Sequence, residues 1–61
     1  MILDWLILVP DGQEWVLHTQ LRATRPEAEA ACRNIQEAWP DQAVALVQGK
    51  LEFPLSLGVV L

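Results

Sequence analysis

A small α+β fold, in which one helix lies on one face of an antiparallel-rich ββαβ sheet, is predicted by three features of this chain. Residues 1–9 are almost continuously apolar, and residues 14–23 alternate apolar with polar. Residues 24–39, TRPEAEAACRNIQEAW, repeat apolar side chains at helical spacing behind a capping sequence. A second short apolar run, QAVALVQ at 42–48, follows the helix. An unbroken apolar run suits a strand covered on both faces, strict alternation suits a half-buried strand, and a 3.6-residue period suits a surface helix.

The first strand is expected over 1–9, with Pro10 ending it. Pro10, Asp11 and Gly12 suit a three-residue loop: proline presets the first turn position and glycine accepts a left-handed third. That loop sets Val9 opposite Gln13, so Ile7 opposes Trp15, Trp5 opposes Leu17 and Leu3 opposes Thr19 on the core face. On the other face Asp4 falls opposite His18, Leu6 opposite Val16 and Leu8 opposite Glu14. A two-residue turn at Asp11 and Gly12 would aim Asp4 into the core, where an unpaired carboxylate is costly. The three-residue loop is therefore the expected one.

Thr24 and Glu27 form a capping box at the helix start, and Pro26 sits in the first turn, where its missing N–H has no helical partner. Ala28, Ala31, Cys32, Ile35 and either Ala38 or Trp39 make the inward stripe. Glu27, Glu29, Arg33, Gln36 and Glu37 face water, with Glu29 and Arg33 at the favourable i,i+4 spacing. Pro40 and Asp41 end the helix. The inward residues are mostly small, so the helix should lie close to the sheet. The third strand, 42–48, is expected parallel to the second and antiparallel to the first, on the first strand's free edge. Strand order is then 2-1-3, and Gly49 with Lys50 suits a tight turn.

Residues 51–61 place Leu51, Phe53, Leu55, Leu57, Val59 and Leu61 at every odd position. Alternation of this kind indicates an extended segment with one buried face, and Pro54 confines it to an edge or splits it. The tail reads as a fourth edge strand, or as an arm exchanged between copies.

The 61 residues make one domain, 1–61. A chain of this size buries only about 60% of its unfolded surface. Cys32 is the one cysteine, so no intrachain disulfide is available and no second cysteine or histidine stands beside it as a metal ligand. Association is the remaining supplement to a small core. The net charge of −4 and the dispersed Arg22, Arg25, Arg33 and Lys50 argue against a nucleic-acid surface. No apolar run reaches the ~18 residues of a membrane span, and no basic segment precedes the first run as in a signal peptide. A reducing cytoplasm is expected.

Little in the chain resembles a reaction centre. His18 and Asp4 are the one pair that resembles a catalytic dyad, and no nucleophile accompanies them; a surface pair that steadies the hairpin is the plainer interpretation. Cys32, between alanines, reads as a small buried hydrophobe. Gly12, Gly49 and Gly58 are isolated, so no phosphate-cradling loop exists, and the dispersed carboxylates suit a solvated helix face better than a nucleic-acid mimic. Trp5 and Trp15 fit the core between sheet and helix, whereas Trp39 fits either core or an exposed anchor. No cofactor and no metal is expected.

What remains is surplus apolar surface. Ile2, Leu6, Leu8 and Val16 are expected on the sheet face away from the helix, with His18 beside them and Phe53, Leu55 and Leu57 of the tail joining them. Such patches mark partner surfaces. The expected function is a non-enzymatic protein-binding module that docks on, and inhibits or assists, a larger protein, as accessory and anti-defence proteins of phages and mobile elements do. The alternative is a self-associating subunit, a homo-oligomer built through the open sheet face or the tail.

Overall fold

A computed structural model describes residues 1–50. Its elements are β1 (Leu3–Asp11), β2 (Glu14–Ala23), α1 (Arg25–Ala38) and β3 (Ala45–Gln48). The sheet has the order β2-β1-β3, with both pairings antiparallel. The fold is therefore the small α+β ββαβ arrangement that the sequence predicts, with β1 at the centre. The tail residues Phe53, Leu55 and Leu57, and the fourth strand or arm they would form, lie outside the described residues.

The hairpin register differs from the expected one. Asp11 pairs with Glu14, so the loop is the two residues Gly12 and Gln13 rather than Pro10, Asp11 and Gly12. Gly12 has φ +70°, the left-handed backbone that a two-residue hairpin loop demands at its first position. From this end the pairs run Pro10 with Trp15, Val9 with Val16 and Leu8 with Leu17. The register then shifts by one residue: Ile7 pairs with Thr19, and His18 is the extra residue of a β-bulge. Beyond it Trp5 pairs with Leu21, Asp4 with Arg22 and Leu3 with Ala23.

A one-residue bulge exchanges the faces of everything beyond it. Leu21 and Ala23 thus lie on the helix side, where Trp5, Ala23 and Ala28 form the buried core with Leu3, Leu21 and Leu46 packed against it. Trp15 and Leu17, expected in the core opposite Ile7 and Trp5, instead lie on the far face. Asp4 still escapes the core, because it alternates with Leu3 and Trp5 along β1, and the bulge sets it opposite Arg22, whose Nε is 3.5 Å from its Oδ1. Pro10 does not end β1, which continues to Asp11. It is tolerated there because β3 pairs with β1 only from Trp5 to Leu8, leaving no ladder bond for the missing N–H on that side.

Helix α1 begins as its sequence requires. Thr24 is the N-cap: its Oγ1 accepts from the Glu27 N–H at 3.4 Å, and its own N–H donates to Glu27 Oε1 at 2.9 Å. Hydrogen bonding by Thr24 holds the Glu27 carboxyl below its ordinary pKa, the backbone N–H contributing most and the hydroxyl next. The surface ion pair is Arg25 with Glu29, at 3.1 Å, rather than Glu29 with Arg33. Arg25 lies one turn nearer the N-terminus and reaches the same carboxylate. Ala28 is fully buried, while Ala31, Cys32 and Ile35 are half-buried. Cys32 is thus less enclosed than expected, because β3 is short: its ladder covers 45–48 and not 42–48.

Trp5 ties the layers together. Its indole N–H donates to the Ala23 carbonyl at 2.9 Å in a buried setting, linking the central strand to the junction of β2 and α1. A tryptophan so placed stabilises through ring burial and through a donor that satisfies a buried carbonyl. Trp5→Ala is expected to cost about 3–5 kcal/mol in urea unfolding. Trp5→Phe keeps an aromatic ring without the donor and is expected to cost about 1–3 kcal/mol.

The capping box gives a second expectation. Thr24→Ala should lose about 1 kcal/mol of stability. Because folding lowers the Glu27 pKa, its contribution is present at neutral pH, above the unfolded value, and is lost as pH falls through the folded value. Helical circular dichroism of the Glu27→Gln variant should consequently fall less on acidification than that of the parent chain.

Candidate interaction surface

Alternation along each strand assigns the two faces of the sheet. Leu3, Trp5, Ile7 and Val9 of β1 share the helix side with Thr19, Leu21 and Ala23 of β2, and with Leu46 of β3. The far side carries Leu17, Leu8 and Ala45 as one row across the sheet, with Val47 opposite Leu6 in the next. Trp15 stands beside Leu17's row, opposite Pro10. Trp15 is 53% exposed, Leu17 41% and Val47 40%. Toward the other end the same face turns polar, with Gln20, Arg22 and Asp4. Among the described residues of β2, the exposed apolar side chains of this face, Trp15 and Leu17, thus lie in its hairpin half.

The residues expected on this surface are only partly brought together. Leu8 lies on the far face and is half-buried, and Leu6 lies there too but is buried beneath its neighbours on a central strand. Ile2 is exposed immediately before β1 begins. Val16 lies on the helix side opposite Val9, contrary to expectation, because a loop at Gly12 and Gln13 moves the partner of Val9 three residues along, from Gln13 to Val16. His18 is also on the helix side. Trp15, Leu17 and Val47 are the surface residues that the register argument misassigned or passed over. Their strongest sequence signal is the consecutive apolar triplet Trp15, Val16 and Leu17, which alternation alone does not explain.

The foreseen pair of His18 and Asp4 does not exist. Asp4 is paired with Arg22, and the His18 ring meets Trp39 edge-on, with centroids 5.8 Å apart and planes at 69°. Nδ1 of His18 is 2.6 Å from Thr19 Oγ1. Trp39, the C-cap of α1, is exposed yet held in place: its N–H donates to the Ile35 carbonyl at 3.1 Å, and its carbonyl accepts from the Gln42 N–H at 2.9 Å. Gln36 donates to the Gln42 carbonyl, and Gln42 Nε2 donates to the Pro10 carbonyl at 3.2 Å. This chain of amides anchors the loop after α1 to the end of β1. Val9, His18, Trp39 and Gln42 enclose a shallow groove of about 200 Å³ beside it.

Among the described residues, no cluster of three or more His, Cys, Asp or Glu side chains is placed to hold a metal ion. No helix among them is long and apolar enough to cross a membrane. Comparison with protein-family models, curated proteins and solved structures yields no match.

A half-exposed residue on an open sheet face is replaced at smaller cost than a buried one. Trp15→Thr is accordingly expected to cost about 1 kcal/mol in urea unfolding, well below the cost of removing the buried Trp5. A loss of several kcal/mol would return Trp15 to the core.

Proposed function

We propose that the chain is a non-enzymatic protein-interaction module that binds through the apolar end of its sheet, around Trp15 and Leu17. One observation carries the reading: a tryptophan and a leucine stand exposed side by side on a regular strand, on a face that α1 does not reach. Exposed contiguous apolar surface is characteristic of partner-binding sites, and tryptophan is among the residues that dominate binding energy. A free, half-buried cysteine and an acidic surface suit an accessory protein of the reducing cytoplasm that docks on a larger protein and modulates it.

Capture from a cell lysate with the tagged chain tests this, using three baits in parallel. A protein retained by the parent chain should be lost with Trp15→Glu, while Glu37→Lys on the exposed face of α1 should retain it. Equal retention by all three baits would contradict the assignment of the surface.

A further inference from the structure

We infer that the outer edge of β2 pairs with β2 of a second copy of this chain, antiparallel and centred on Val16. The inference rests on the protein-binding reading above and names the partner. Trp15, Val16 and Leu17 are consecutive and exposed, so Trp15 and Leu17 point to one side of the sheet and Val16 to the other. A ligand lying on either face alone leaves one side of that triplet in water. A strand added at the edge brings neighbours to both sides at once, and a run that is apolar on both faces is the mark of an interior strand. Within the described sheet β2 is nevertheless an edge strand. Its outer row of N–H and C=O groups is a template for such pairing.

The bulge selects the register. From Glu14 to His18 the side chains alternate cleanly, whereas His18 and Thr19 both lie toward the helix side. A two-fold axis perpendicular to the sheet matches like face with like face, so registers that run past His18 set residues of opposite faces against each other. Within 14–18 the axis that uses every residue passes through Val16. It sets Trp15 opposite Leu17 of the second copy, twice by symmetry, and Val16 opposite itself. It also sets Glu14 opposite His18 of the second copy, a carboxylate against an imidazole.

Two observations make that last pair complementary. Glu14 faces Asp11 across its own hairpin, a like-charge pair that gains from a donor brought alongside. The His18 ring is already oriented by Thr19 and Trp39, and among the described residues its hydrogen-bond contact is through Nδ1, with Nε2 on the other side of the ring. Aromatic–aliphatic and opposite-charge pairs across strands are both stabilising.

Sedimentation equilibrium of the full chain, from low to high micromolar concentration, tests the pairing. The parent chain should give a concentration-dependent dimer. Glu14→Lys, which relieves the repulsion with Asp11 and so leaves the hairpin sound, should raise the dissociation constant roughly tenfold, because two symmetric pairs are lost together. Val16→Lys, which sets two ammonium groups against each other at the axis, should leave a monomer with parental circular dichroism. Glu14→Lys combined with His18→Glu sets an ammonium against a carboxylate at the same two positions and should recover the dimer. A parent chain that stays monomeric, or a dimer indifferent to Glu14→Lys and Val16→Lys, overturns the inference. A monomer that still captures another protein through Trp15 leaves the binding module standing without self-pairing.

Discussion

The structure depends on a single extra residue in β2. The hairpin loop at Gly12 and Gln13 sets one register for residues 14–17, while the core needs the other for residues 19–23. Without a bulge, the register set by the loop would carry Leu21 and Ala23 to the open face and bring Gln20 and Arg22 beneath the helix. His18 absorbs the mismatch. The ladder loses one regular pair there, and in return Ala23 reaches Trp5 and Ala28 while Asp4, on the open face in either register, meets Arg22 rather than Leu21.

The same residue decides what the surface offers. By separating the two halves of β2, the bulge keeps Trp15 and Leu17 on the face that α1 does not cover. It also sets the His18 ring against Trp39, at the helix end that the Gln36, Gln42 and Pro10 bonds hold in place. Core and interaction surface are thus two outcomes of one backbone irregularity. Bulges are known for re-aiming side chains and bending strands at sheet edges, and β2 is an edge strand here.

Much of this was legible in the residues. The apolar run of β1, the Thr24 and Glu27 capping box and the return strand specify element order and the 2-1-3 sheet, because each signal is local and mutually consistent. The register was not legible. Pro10, Asp11 and Gly12 resemble a loop as strongly as Gly12 and Gln13 do, and proline was read as a terminator although it sits where β1 needs no donor. Asp4 does stay out of the core, but the alternation of β1 beside Leu3 and Trp5 keeps it out with a two-residue loop as well as with a longer one. A period-two pattern carries no mark of where its phase changes. Hence Trp15, Val16, Leu17 and His18 were assigned to the wrong faces, while Leu8 and Asp4 were assigned correctly.

The phase change is open to direct observation. Nuclear Overhauser contacts between backbone protons across the β1–β2 pair report the register one residue at a time. The bulge predicts contacts of Leu8 with Leu17 and of Ile7 with Thr19 in the same spectrum, with His18 lacking a partner on β1. A single uninterrupted register from Glu14 to Ala23, with His18 paired to a residue of β1, would contradict it, and if that register is the one pairing Ile7 with Thr19 it would also carry Trp15 and Leu17 to the helix side.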